Sequence, residues 1–282
     1  CRSDLPLDDD IKAKIAQFCN VPKKRVIQNL DVDILYELPL AMEKEKLANV
    51  ACECLNMECP QPDLTDWIDM VNAWKHPKHK VKVALVGKYV SLHDAYISVV
   101  EALKHGGIYS HTTVNIKWID SETVTPENVD ELLGDVSGIL VPGGFGDRGI
   151  EGKIEAIKNA RTHKVPFLGL CLGMQLAKVE FARDVVGYHD AHSVELNPNT
   201  THPVIHIMPD QIGIEDIVAL TQNCLLLSVL SPYGRIVEMV EIPEHPWFIG
   251  TQAHPELKSR PNKPHPLFKG FVEASLEYSK EK

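Results

Sequence analysis

The sequence has no run of about 18 apolar residues and no signal-peptide pattern at its start, so neither a membrane span nor secretion is supported. It is short of positive charge. Lys and Arg number 29 against 39 Asp and Glu, a formal net charge of -10, so a wide cationic surface for phosphate backbones, and with it a nucleic-acid partner, is not expected. Seven cysteines, irregularly spaced in 282 residues, are too few for a disulfide scaffold. Cys52, Cys54 and Cys59 lie close together, yet no paired C-x-x-C or His set completes four ligands, so no metal site is expected there. Internal repeats and low-complexity tracts are absent. What remains is a cytoplasmic chain with reduced thiols. It begins at Cys1, without an initiator methionine, and enters a helix-like pattern at once, as an excised fragment would.

What is present is ordinary globular composition, 44% hydrophobic and 24% charged, enough for one large domain with an appendage. Ile11, Ile15 and Phe18 recur at helical spacing, and Leu38, Leu40 and Leu47 repeat that character; VIQNLDVDILY between them reads as a strand running into a turn. Residues 1–60 are too few to enclose a nucleotide site and read as the remnant of another domain. The polar stretch 61–81 reads as a linker. From 82 to 282, strand-like runs (VALVG, TVNIKWID, GILV, PFLGL) alternate with helical ones (DAYISVVEALKHGG, PENVDELLG, GKIEAIKNARTH, LGMQLAKVEFARDV). That alternation predicts an α/β fold: a mostly parallel sheet with helices on both faces. PVIHIM, RIVEMVEI and WFIGTQ suit later strands, and HPLFKGFVEASLEY a final helix.

The sharpest local feature is PFLGLCLGMQLA, in which a strand enters Gly169, Cys171 and Gly173 and then a helix. This is a nucleophile elbow with cysteine at the reactive position. The flanking glycines allow a crowded, strained turn, and the helix N-terminus beneath the sulfur favours thiolate. A buried structural cysteine is the alternative reading. Earlier, GILVPGGFGDRG opens a loop with Gly143, Gly144 and Gly146, whose backbone N–H groups, with that of Leu172, can converge on an oxyanion. No G-K-[ST] follows, so a phosphate cradle of the Walker type is excluded. In TQAHPEL, His254 and Glu256 lie two apart, which puts both side chains on one side of an extended segment. A carboxylate that orients an imidazole completes a cysteine–histidine–acid triad.

PGGFG, GLCLGMQ and HPE in this order resemble the class I glutamine amidotransferases. Within them ALVGKY, VPGGFGDRGIEGKI, CLGMQLAKVEFAR, DAHSVE, HPWF and SRPNKPHPLF resemble the CTP synthase family, and KIAQFCNV and VIQNLDVDILYELPL resemble the end of its α/β synthetase domain. The resemblance implies ATP-dependent amination of UTP to CTP with ammonia from L-glutamine. Cys171 would be the nucleophile, His254 the base and Glu256 its orienting acid. Gly143, Gly144 and Leu172 would form the oxyanion hole, while Gln175 and Glu195 hold glutamine's polar groups. Arg148 would belong to a region activated by GTP, and Arg2, Lys14, Asp31 and Val32 would be remnants of the nucleotide site. ATP and Mg2+ would serve only the full-length enzyme, as would a homo-tetramer; this chain carries no cofactor of its own.

The chain departs from the family between Met208 and Val237. GGTMRLG and RHRHRYEVN are absent, an arginine for glutamine's carboxylate goes with them, and His254 follows Cys171 by only 83 positions. The P-loop and metal-binding acids of the synthetase do not occur, so at most a glutaminase is expected. Two alternatives stand beside it: a cysteine hydrolase of the γ-glutamyl hydrolase type, and a catalytically impaired scaffold or assembly module.

Overall fold

The structure, a computed structural model, describes residues 1–205, 225–230 and 237–282. It divides into two compact units, Cys1–Lys75 and His76–Lys282.

In the first unit, β1 (Arg2–Ser3) pairs in parallel with β2 (Asn29–Leu30), and four helices follow the chain: α1 (Asp9–Cys19), α2 (Leu38–Lys44), α3 (Leu47–Leu55) and α4 (Thr65–Lys75). Asp8 caps α1 by accepting from the Ile11 N–H at 2.7 Å, and Asn20 closes it in the left-handed region. The apolar stretch at 38–49 is two helices, not one, because Lys46 takes a positive φ of 58° between them. The stretch read as a linker contains α4. Trp67, Met70, Val71 and Trp74 line one side of it at helical spacing, with the Trp67 indole N–H donating to the Tyr36 carbonyl at 2.7 Å.

The second unit is built on a seven-stranded sheet in the order β4 (Thr112–Asp120), β3 (His79–Gly87), β5 (Gly138–Val141), β6 (Phe167–Leu170), β11 (Phe248–Thr251), β10 (Val237–Glu241) and β9 (Leu226–Leu230). The first five run parallel and the last two pair antiparallel. β7 (His192–Ser193) and β8 (Pro203–Ile205) form a separate small ladder. Strands of this kind are apolar throughout because both faces are covered. On one face Val83, Leu85, Leu140, Leu168 and Leu170 pack with Leu103 of α5 (Ile97–Tyr109) and with Phe268 and Phe271 of α9 (Pro266–Glu281). The alternate residues, Ala84, Val86, Ile139, Val141 and Phe167, face Ile154 and Ile157 of α7 (Ile150–Thr162) and Leu176 and Val179 of α8 (Leu172–Phe181). A short α6 (Val129–Leu133) covers the edge of that second cluster. The expected mostly parallel sheet with helices on both faces is what the chain forms. Its carboxyl ends are where the conspicuous loops gather, as open α/β sheets arrange their sites.

Candidate active site

Strand β6 ends at Leu170 and α8 begins at Leu172, so Cys171 makes the whole turn. Its φ of 52° and ψ of -105° are strained for a residue with a side chain. The glycines that permit this are fixed by backbone, not by side chains. A Cβ at Gly173 would stand 2.1 Å from the Val141 carbonyl oxygen, and one at Gly169 would stand 2.7 Å from the carbonyl carbon of Gly173. Strand β5, the turn and α8 are therefore in backbone contact. The Cys171 N–H donates to the Thr251 carbonyl at 2.7 Å, which ties the turn to β11 as well.

Beyond β11 the chain carries the imidazole and its acid. His254 Nδ1 lies 2.7 Å from Glu256 Oε1. The imidazole is open to solvent, with 47% of its side chain exposed, while only 8% of the Glu256 side chain is exposed. A carboxylate so enclosed holds its ring partner in one orientation. A Cβ built on Gly143 would lie 3.2 Å from His254 Cε1 and 3.9 Å from Cys171 Sγ. The sulfur, the imidazole and the glycine-rich loop thus enclose one small volume.

The sulfur's environment differs from the simple helix-dipole expectation. Burial pushes the Cys171 thiol up, and the nearby Glu256 and Glu195 carboxylates add to that; hydrogen bonds from the Leu172 backbone N–H and the Gln252 amide work against it without overcoming burial. At rest the sulfur is a thiol. Its nucleophilic form depends on proton transfer to a base beside it.

The structure brings together Cys171, His254, Glu256 and Gly143, with Leu172 directly after the cysteine. Gln175, on the first turns of α8, donates from Nε2 to Gln252 Oε1 at 3.1 Å, and Gln252 in turn donates to Cys171 Sγ at 3.5 Å. Gln252 was not singled out in the sequence, although it stands in TQAHPE two residues before the histidine. Glu195 is exposed after β7, and its carboxylate is near enough to raise the Cys171 thiol. Gly144 lies next to Lys88 and to the buried Lys153. Arg148 pairs with Glu122 at 3.0 Å, donates to the Lys88 carbonyl at 3.4 Å and sits 5.8 Å from the Tyr89 ring centroid.

In the first unit, Arg2 and Asp31 form a two-point pair at 3.2 and 3.3 Å, Lys14 is exposed on α1, and Val32 is half-buried. Much of the altered 208–237 stretch, where the family's arginine is missing, lies outside the described residues. No cluster of His, Cys, Asp and Glu among the described residues is arranged to hold a metal ion, and none of their helices is long and apolar enough to cross a membrane.

Residues 91–274 match the family model for glutamine amidotransferase class-I, the class of protein that this fold and site define. Residues 1–57 match a second model, for the CTP synthase N-terminus. The CTP synthase of Clostridium beijerinckii is 50% identical over 325 aligned positions, which take in 100% of this chain and 61% of the relative. That of Caldanaerobacter subterraneus subsp. tengcongensis is 48% identical over 98% of this chain and 59% of its own length. The structure of the Trypanosoma brucei CTPS glutaminase domain with bound acivicin is similar at a TM-score of 0.65 and 31% identity, over 70% of this chain and 94% of that one. The chain belongs to the CTP synthase family. It spans 59–61% of the curated relatives compared here. The 325-position alignment is longer than the 282-residue chain, so the Clostridium beijerinckii relative carries residues that this chain lacks.

Proposed function

We propose that this chain is the glutamine-hydrolysing part of a CTP synthase, releasing ammonia from L-glutamine through a thioester on Cys171. The observation that carries the reading is the convergence on Gly143 of the Cys171 sulfur and a His254 ring held by Glu256 at 2.7 Å. His254 takes the thiol proton as Sγ attacks the γ-amide carbon of glutamine. The carbonyl electrons move onto oxygen, where the backbone N–H groups of Gly143, Gly144 and Leu172 receive them. The tetrahedral species collapses by expelling the amine, which leaves as ammonia with the proton from His254. His254 then deprotonates water, which attacks the thioester, and glutamate leaves with Cys171 restored as a thiol.

Gln175 and Glu195 hold the substrate's polar groups in this reading, Glu195 meeting the α-ammonium. Gln252 bridges Gln175 to the sulfur and keeps that wall of the pocket in place. Ammonia would pass to the synthetase part of a longer enzyme, where ATP and Mg2+ drive amination of UTP to CTP, with GTP as activator at the Arg148 region and a homo-tetramer as the assembly. No step assigned to this chain runs through ATP or a metal. Arg2, Lys14, Asp31 and Val32 are assigned to the edge of that nucleotide site, residues 1–60 to the synthetase remnant and 82–282 to the amidotransferase. We place the missing residues in the 208–237 stretch.

Glutamate release by the purified chain, with Cys171→Ala as control, tests the proposal. Release above the control supports it; release equal to the control sinks it. In that case labelling of Cys171 by a glutamine-mimicking electrophile distinguishes an impaired scaffold from a poorly binding enzyme. The absence of an arginine between Met208 and Arg235 favours this second reading.

A further inference from the structure

Lys153 stands on the first turn of α7, directly after the glycine-rich loop, and is completely buried. Its Nζ has no hydrogen-bond partner among the described residues. Three features of the place disfavour a cation: removal from water, the positive end of a helix, and the neighbouring Lys88 and Arg148. Burial foremost, then those two charges, bring its pKa down to about 8. The charged groups facing it are Lys88 at the end of β3 and Arg148 in the loop. Glu122, on the turn after β4, is already paired with Arg148 at 3.0 Å.

The position of Nζ gives this otherwise costly charge a use. It lies 3.9 Å from where a Cβ of Gly144 would be, and a Cβ on the adjacent Gly143 would lie 3.9 Å from Cys171 Sγ. The ammonium therefore stands beside the loop one residue along from the glycine that approaches the sulfur. A leucine or methionine would fill the same space without desolvating a charge. Lys88 also donates from Nζ to the Phe145 carbonyl, so a second lysine ammonium ties the same loop.

Resting on the amidotransferase reading, we propose that Lys153 is a positioning residue for the oxyanion: its buried ammonium, next to Gly144, supports through its charge the negative charge formed at the Gly143–Gly144 loop. Lys153 touches neither substrate nor sulfur. Its effect belongs to the transition state, where charge appears, and not to ground-state binding. The amine is charged below about pH 8 and neutral above it, so the contribution is present at neutral pH and lost as pH rises through that value.

The test is glutamine hydrolysis by the 282-residue chain between about pH 6.5 and 9.5, a window chosen to bracket an amine of this kind, in wild type, Cys171→Ala and Lys153→Met. The expected result for K153M is a KM within about twofold of wild type, a kcat lower by about tenfold, and no fall in rate above about pH 8 where wild type falls. Its melting temperature should be unchanged or higher, since a buried charge has been removed. A K153M enzyme with wild-type kcat and an unchanged pH profile overturns the proposal. So does a loss of kcat that keeps the alkaline fall and comes with a lower melting temperature, which would make Lys153 a packing residue. If K153M and Lys153→Gln both fail to fold, the role is structural and the proposal falls. Should wild type release no more glutamate than Cys171→Ala, the amidotransferase reading fails and takes this inference with it; turnover in wild type with no effect of K153M defeats the inference alone.

Discussion

The two compact units bury their apolar residues very differently. In Cys1–Lys75 the described core is Ala16, Val26, Met70 and Val71, while Phe18 is 90% exposed and Leu5, Leu35, Leu55 and Met57 are also open to solvent. In His76–Lys282 nearly every sheet residue facing a helix is inaccessible. A unit of 75 residues with two-residue strands has little surface to remove from water, whereas a sheet covered on both faces builds two clusters at once. The difference shows which unit can hold a strained turn. The strained cysteine turn and its glycine contacts sit in the unit that has interaction energy to spare for them.

The comparison can be broken or sharpened by substitution. The largest effect is expected at Gly173→Ala. Alanine gains about 1 kcal/mol of helix propensity, but its Cβ would meet the Val141 carbonyl oxygen at 2.1 Å, and neither backbone can yield without moving β5 or α8. Net destabilisation of about 3 kcal/mol or more, read by urea unfolding, is expected. Stability within about 0.5 kcal/mol of wild type would mean the elbow is not locked by backbone contact.

Next, Phe271→Ala, in the cluster beneath β3 and β5, should cost about 3–5 kcal/mol, while Phe18→Ser in the first unit should change stability by less than about 0.5 kcal/mol. Equal losses at the two sites would erase the distinction between the units. Glu256→Gln should leave the unfolding midpoint nearly unmoved yet lower kcat by about a hundredfold or more, because an amide holds the His254 ring in a different tautomer. Kinetics at saturating glutamine check it. The smallest effect belongs to Asp135, which Lys117 and Lys82 hold at 2.8 and 2.6 Å and bring down to about 2. With a folded pKa below the unfolded one near 4, its stabilisation is present at neutral pH and lost as pH falls toward 2. Half exposed, it is worth about 1 kcal/mol or less, so Asp135→Asn should lower the melting temperature slightly at pH 7 and hardly at all near pH 2.

Much of the second unit is legible in the sequence because buried parallel strands are written as uninterrupted apolar runs, and VALVG, GILV and FLGL allow no amphipathic alternative. The cysteine turn is legible for a related reason. Gly169 and Gly173 are forced by backbone contact, so their spacing about Cys171 carries the geometry directly. The linker reading of 61–81 missed α4 because its flanks are polar, although Trp67, Met70, Val71 and Trp74 already had a helical period. The break at Lys46 left no such mark; a positive φ at lysine has no sequence signature. Gln252 escaped because an uncharged amide declares no chemistry until it is seen beside the sulfur. Lys153 escaped because, in GKIEAIKNARTH, a lysine reads as the solvated side of an amphipathic helix. Its burial depends on the loop folding over it, which is a tertiary fact.

Gly143 has a consequence for how such genes are classified. Its missing side chain leaves a gap bordered by the His254 ring and the Cys171 sulfur. A methyl group there would stand 3.2 Å from His254 Cε1 and 3.4 Å from Cys171 Cβ, so an alanine variant would keep all three side chains of the proposed triad while narrowing the space between them. A survey that scores homologues by their catalytic side chains would count that protein as competent. At this position the proposed chemistry rests on an empty space, and it has to be inspected as carefully as the parts around it.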